Sequence, residues 1–318
     1  MMEELKKRYP NSGSLFDTKE EDIAIKIENL TKDYGKGRGI FDINFIVPKG
    51  KTFGYCGTNG AGKTTTLRHI MGFLKQKTGK VTVLGMDAWK DAEAIKPYIG
   101  YLPGEIAFPP LESGTDFLKL QAEMLGMKDM GNAEKYINAL QLDPTANLKR
   151  MSKGMKQKTA MVAAFMANPQ ILILDEPTTG LDPLVREVFI DMIKAEKEKG
   201  TTIIMSNHMF DELEGTCDYV GFIKDGHLID IVDMDKIKNR STRKYAIRFK
   251  DKEEFDAANV PAVNVVYKDD TTLTYVIEIG IEHTDEMVAG FSTCKIAEFH
   301  EIPYSLERYF MEEVVKGE

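Results

Sequence analysis

Gly57-Thr58-Asn59-Gly60-Ala61-Gly62-Lys63-Thr64 decides how this chain is read. The stretch satisfies G-x-x-x-x-G-K-[ST], follows the apolar run Phe53-Gly54-Tyr55-Cys56, and leads into the helix-compatible Thr65-Thr66-Leu67-Arg68-His69-Ile70-Met71. Strand, glycine loop and helix in that order form the context in which the pattern marks a nucleotide site. The glycines let backbone N–H groups wrap phosphate oxygens, and the helix N-terminus adds its dipole. Lys63 is expected to reach the β- and γ-phosphates, and the Thr64 hydroxyl to ligate Mg²⁺. The competing reading is an ordinary glycine-rich turn, which would not need Gly57, Gly60, Gly62, Lys63 and Thr64 together.

Working outward, the 318 residues are enough for one large or two modest domains with a real core. A net charge of −8 and a pI of about 5.4 argue against a nucleic-acid partner. Cys56, Cys217 and Cys294 lack metal-type spacing and cannot all pair, which fits a reducing, cytosolic setting. The first ten residues lack the apolar core of a signal peptide. No stretch approaches the roughly 20 apolar residues of a membrane helix. The expectation is a soluble chain whose membrane role comes through a partner.

Residues 1–22 are polar and mixed in charge and read as a loosely held extension in which Leu15 and Phe16 could dock. Strand period begins at residues 23–28 and recurs at 41–45, with 30–35 as the connection; residues 80–85 return to it. Residues 111–167 are helical in pattern and read as an insertion between two halves of an α/β core. Ile171-Leu172-Ile173-Leu174-Asp175 is an unbroken apolar run ending in a carboxylate, as a central parallel strand would be. A helix over 185–197, a strand over 201–205, a short helix over 211–215 and a hairpin turning at Asp225-Gly226 follow. Past residue 238 the alternating stretches 245–249, 265–267 and 273–277 and a final helix over 305–315 indicate a small α+β appendage.

In a chain with a phosphate loop, a strand-terminal Asp175 is placed to bind Mg²⁺, usually through water, beside Thr64. Glu176, next in sequence, is the candidate for polarising the attacking water. The alternative is that the pair merely caps the strand before Pro177.

These residues carry a resemblance. Residues 171–183, with Asp175-Glu176-Pro177-Thr178-Thr179-Gly180-Leu181-Asp182-Pro183, resemble the Walker B segment and D-loop of ATP-binding cassette (ABC) transporter ATPases. Met151-Ser152-Lys153-Gly154-Met155-Lys156-Gln157-Lys158 is similar to the family's signature motif, in the variant frequent in the branch serving ABC-2-type permeases. Ser206-Asn207-His208 resembles the switch histidine motif, and the likeness covers residues 23–235 in the family's order.

The resemblance implies an α/β fold: a P-loop NTPase core over 23–238 with an antiparallel β subdomain and a helical insertion at about 106–168. The α+β accessory domain would occupy 239–318. It implies ATP and Mg²⁺ as cofactors, with Glu176, His208 and Lys63 catalytic and Thr64 and Asp175 at the metal. Nucleotide would be bound by Tyr34 against adenine, by the loop residues Gly57, Thr58, Asn59, Gly60, Ala61, Gly62, Lys63, Thr64 and Thr65, and by Ser152, Gly154 and Asp182. Packing of Tyr34 beside the early strands is the alternative for that residue. Ser152 and Gly154 would face the loop of a second cassette, so ATP would hold together a head-to-tail homodimer, or a heterodimer with another ATPase subunit. Two positions depart from the family pattern: Gly104 stands where a Gln is usual, followed by Glu105, and Met155 replaces the usual Gln of the signature.

The implied role is the ATPase subunit of an exporter or related permease, cytoplasmic and peripheral at the inner face of the membrane through its permease partner. The alternatives are a non-transport ABC protein acting in translation or on nucleic acid, and a nucleotide sensor without productive hydrolysis. The loop reading yields a direct expectation. Lys63→Ala abolishes nucleotide binding or turnover, checked by ATP titration and phosphate release; unchanged ATPase activity would remove the loop assignment.

Overall fold

A computed structural model of the chain describes residues 1–258 and 263–315. The chain divides into two compact units, Met1–Met234 and Asp235–Glu318.

The first unit contains β1 (Ile23–Gly35), β2 (Arg38–Pro48), β3 (Thr52–Cys56), β4 (Thr78–Val83), β5 (Met86–Asp87), β6 (Ile99–Leu102), β7 (Ile171–Asp175), β8 (Thr202–Asn207), β9 (Tyr219–Lys224) and β10 (His227–Asp233). Among the described residues these make an antiparallel sheet, β2-β1-β4-β5, and a six-stranded sheet, β10-β9-β3-β8-β7-β6. In the larger sheet β9, β3, β8, β7 and β6 run parallel, and β10 returns antiparallel at the edge. Every residue of β3 and β7 is buried, as befits strands covered on both faces. The parallel register pairs Cys56 with Asn207 and Asp175 with Ser206, so the carboxyl ends of β3, β8 and β7 lie in one row.

The helix Lys63–Ile70 follows β3, and three helices, Gly114–Met124, Ala133–Ala139 and Lys153–Phe165, lie between β6 and β7. Their starts are chemically marked. Ser113 and Asp116 exchange hydrogen bonds as a capping box, and the Ser152 hydroxyl accepts the Met155 N–H. Asp182 caps the helix Pro183–Glu198, with Pro183 at its first position.

Two expectations are corrected here. β1 continues to Gly35 rather than ending near residue 28, so Tyr34 belongs to a strand and not to a connection. The strand survives an irregularity at Asn29, whose φ of 50° is left-handed, because the Asn44 side chain accepts the Asn29 N–H at 2.8 Å. Nor is the N-terminal segment loosely held. It forms a helix, Met2–Arg8, and buries Leu5, Tyr9, Leu15 and Phe16 in the same cluster as β1 and β2. The Tyr9 hydroxyl donates to the Leu228 carbonyl at 3.3 Å, Arg8 pairs with Asp42 at 2.7 Å, and the Asp233 N–H donates to the Asn11 carbonyl at 2.9 Å. Four apolar side chains scattered through a polar stretch show no period, yet each fills a site on the core.

In the second unit β11 (Thr242–Phe249), β12 (Asn264–Asp269), β13 (Thr274–Gly280) and β14 (Ile296–Ile302) form an antiparallel sheet in the order β12-β13-β11-β14. A helix, Lys252–Ala257, follows β11 and another, Thr284–Phe291, follows β13, giving the βαββαβ order of a split βαβ fold. Phe249, Phe255, Tyr275 and Phe291 pack together, and the Tyr275 hydroxyl donates to the Phe255 carbonyl at 2.6 Å. Neither helix stands out in the sequence, since the first buries only Phe255 and the second only Met287 and Phe291. No helix among the described residues is long and apolar enough to cross a membrane.

Leu15 is fully buried. Leu15→Ala is expected to cost about 2–5 kcal/mol, read as a lower urea midpoint; a change under about 0.5 kcal/mol would return residues 1–22 to the status of a loose extension.

Candidate nucleotide-binding site

The loop between β3 and the helix Lys63–Ile70 is held from below by the β9–β10 hairpin. The Gly226 N–H donates to the Ala61 carbonyl at 3.0 Å, while the Phe41 N–H donates to the Gly226 carbonyl at 2.8 Å. Packing is so close that a Cβ on Gly57 would lie 2.4 Å from the Ile223 carbonyl oxygen. A Cβ on Gly62 would lie 2.5 Å from Ile40 Cγ2, and its φ of 113° is left-handed. Side chains at these positions would push the loop off its floor. Gly62 is also the N-cap of the helix and offers no side-chain bond, so the first N–H groups are left for a ligand.

Lys63 is 4% exposed and runs back under the loop. Its Nζ donates to the carbonyls of Gly57 at 2.7 Å and Thr58 at 3.2 Å, and sits 3.2 Å from Glu176 Oε1. Asp175 ends β7, 1% exposed. One of its oxygens accepts the Ser206 hydroxyl at 2.5 Å; the other, Oδ2, is buried without a hydrogen-bond partner among the described residues. Ser206 serves both carboxylate positions, because its hydroxyl also accepts the Glu176 N–H at 3.0 Å. Glu176 has a left-handed φ of 47°, a conformation that costs a non-glycine residue about 1 kcal/mol and turns the chain sharply off the strand.

Loop and carboxylates share a cavity of about 390 Å³, whose other wall includes Arg68, Tyr101 and Glu105. Burial pushes the Tyr101 phenol up to about 12, with the Asp175 charge adding to the effect and Arg68 opposing it. Burial likewise raises Cys56 to about 12 against the pull of Lys63, so the thiol beneath the loop stays protonated.

Of the other residues singled out in the sequence, Gly104 also lines this cavity, whereas Tyr34, Ser152, Gly154, Asp182 and His208 do not. Tyr34 is half-exposed near the end of β1, with the Lys32 ammonium 5.1 Å above its ring. Ser152 and Asp182 are exposed helix caps, Asp182 accepting the Val185 N–H at 3.0 Å. A Cβ on Gly154 would lie 3.4 Å from the Gly180 carbonyl, so these two glycine-bearing segments are neighbours. His208 is exposed just beyond β8. Gly104 lies against the metal-type carboxylate, since a Cβ there would be 3.2 Å from Asp175 Oδ2. Sequence reasoning missed Ser206, Arg68 and Tyr101. Ser206 carries a signal in the sequence, its place directly after the apolar residues of β8 and two before His208.

Comparison with known proteins fits this geometry. Residues 40–179 match the family described as ABC transporter. An uncharacterized ABC transporter ATP-binding protein of Methanocaldococcus jannaschii is 39% identical over 210 residues, spanning 64% of this chain and 76% of the relative. The bacitracin transport ATP-binding protein BcrA of Bacillus licheniformis is 33% identical over 224 residues (70% and 73%). The linearmycin resistance ATP-binding protein LnrL of Bacillus subtilis is 36% identical over 213 residues (65% and 68%). A solved structure of an ATP-binding subunit of an ABC transporter aligns with a TM-score of 0.61 at 27% identity, covering 68% of this chain and 92% of that one. Fold and site thus define a P-loop ATPase of the cassette type. The chain belongs to the ABC transporter ATP-binding proteins and is an ATP-binding, ATP-hydrolysing subunit of that family.

Ser206→Ala is expected to leave Asp175 Oδ1 without its donor, while the Glu176 N–H keeps its second acceptor, the Ser206 carbonyl at 3.2 Å. Stability should fall by about 1–3 kcal/mol and the magnesium concentration needed for half-maximal ATPase should rise, both measured on the purified chain.

Proposed function

We propose that this chain hydrolyses ATP with Glu176 as the base that polarises the attacking water, and that it drives export through separate ABC-2-type permease subunits. The observation that carries the catalytic part is the meeting of the phosphate loop, Asp175 and Glu176 in one cavity, with Asp175 Oδ2 left unpartnered. A buried carboxylate oxygen without a donor is costly unless a cation completes it. Thr64 and Asp175 would hold Mg²⁺, which supplies positive charge to the β- and γ-phosphates. The open N–H groups at the start of the helix Lys63–Ile70 bind the phosphates, and Lys63 leaves Glu176 to meet their charge. Glu176, released from that ion pair, accepts a proton from water, and His208 steadies the γ-phosphate end. Tyr34 stacks on the adenine, which needs only a flat π-face.

Ser152, Gly154 and Asp182 act on the nucleotide of a second subunit. One chain has one loop and one Ser152–Gly154 segment, so two chains make complete sites, either as a homodimer or with another ATPase subunit. The exposure of Ser152 and Asp182 as helix caps suits that role. The ATPase body runs over 23–238, with its helical insertion at about 106–168, and 239–318 is an accessory domain. The relatives named for bacitracin transport and linearmycin resistance favour export, and favour transport over translation or nucleic-acid work. The subunit works at the inner face of the cell membrane, bound to its permease.

Glu176→Gln should keep ATP affinity while turnover falls about 100-fold or more. Equilibrium binding and single-turnover hydrolysis check this; turnover near wild type would exclude Glu176 as the base.

A further inference from the structure

Glu212 is a buried acid that the reading so far leaves without a task. It sits on the helix Phe210–Thr216, 4% exposed. Its Oε2 accepts two hydrogen bonds, from Thr178 Oγ1 at 2.7 Å and from Asn207 Nδ2 at 2.5 Å; Oε1 is buried with no partner among the described residues. Thr178 lies two residues beyond Glu176, and Asn207 is the residue before His208. Asn207 in turn shapes the turn that carries His208, because its Oδ1 accepts the backbone N–H groups of His208 at 2.7 Å and Met209 at 3.0 Å. The same amide orientation satisfies all three bonds: the oxygen faces two donors and the nitrogen faces the carboxyl group.

Segments leaving two adjacent strands, β7 and β8, are therefore tied to one oxygen atom. A carboxyl group buried at this cost is a poor choice for packing alone, where an apolar side chain of similar volume would serve as well or better. We infer that Glu212 is a positioning residue that couples the turn bearing Glu176 to the turn bearing His208, so that base and histidine keep one shared geometry. It is not among the residues lining the cavity of the phosphate loop and its hydrogen bonds go to Thr178 and Asn207, so its loss should act on turnover and not on ATP capture. The inference rests on the roles given above to Glu176 and His208.

The test is steady-state ATPase of the full chain, with kcat and KM measured separately and folding checked by thermal melting. Glu212→Leu lowers kcat about tenfold or more, with KM for ATP within about twofold of wild type. Glu212→Gln recovers most of that loss, since its amide oxygen can still accept from both Thr178 and Asn207. Thr178→Val removes one of the two bonds at nearly constant volume and lowers kcat by a smaller factor. Combined with Glu212→Leu it adds little, because both changes break the same contact. If Glu212→Leu does not fold, Thr178→Val and Glu212→Gln decide: a reduced kcat in the former and a near-recovered one in the latter support the coupling. A kcat for Glu212→Leu, or in that case for Thr178→Val, that matches wild type while Glu176→Gln is inactive overturns this inference alone. So does a Gln variant as impaired as the Leu variant. Full turnover by Glu176→Gln overturns the reading of the base, and the coupling with it.

Discussion

Parallel pairing of β3, β8 and β7 is the constraint from which the site follows. With Cys56 beside Asn207 and Ser206 beside Asp175, three strands end at one edge of the sheet, and each end delivers a different chemical group. β3 delivers the phosphate loop, β7 the two carboxylates, and β8 the Ser206 hydroxyl that holds Asp175 and the Glu176 backbone, with the Asn207 amide that holds Glu212. A parallel sheet covered on both faces leaves its carboxyl edge as the place where ligands meet the chain. A one-residue slip of β7 would send Asp175 to the other face and dissolve the site.

The polar groups at that edge are buried to an unusual degree. Lys63, Asp175, Ser206, Asn207 and Glu212 are each less than 5% exposed, and β3 and β7 beneath them are buried along their whole length. In such surroundings each hydrogen bond is electrostatically stronger, and each missing one costs more. Ser206 shows the economy of the arrangement: one hydroxyl donates to Asp175 and accepts from the Glu176 backbone. The loop is held just as firmly from the other side, where Ile223 and Gly226 of the hairpin support Gly57 and Ala61.

Much of this was legible in the residues. Gly57 to Thr64, the run from Ile171 to Asp175 and the Asp225-Gly226 hairpin announce themselves through local pattern, and the structure has a loop, a buried strand and a turn there. The N-terminal segment docks through Leu15 and Phe16, as the sequence allowed, but its firm hold through Leu5 and Tyr9 as well is not legible there, because the four follow no period and their burial depends on a surface made by β1, β2 and β10. In the second unit the final helix is legible, whereas Lys252–Ala257 and Thr284–Phe291 are not, since two short helices burying three side chains between them leave almost no periodic trace. Ser206 and Glu212 were passed over because a serine or a glutamate in sequence says nothing of what lies 2.5–3 Å away.

By itself, then, the sequence determined the phosphate loop, the carboxylate pair, the family and the order of the main strands around the loop, because each is written in residues that are neighbours along the chain. The tertiary structure alone decided which of the singled-out residues meet. It brings Lys63, Asp175 and Glu176 into one cavity and leaves Tyr34, Ser152, Asp182 and His208 on the surface of the single chain. That division is set by strand register and by close packing against Ile223 and Gly226, contacts between residues from 31 (Asp175 and Ser206) to 166 (Gly57 and Ile223) positions apart. Only the folded sheet brings such residues together.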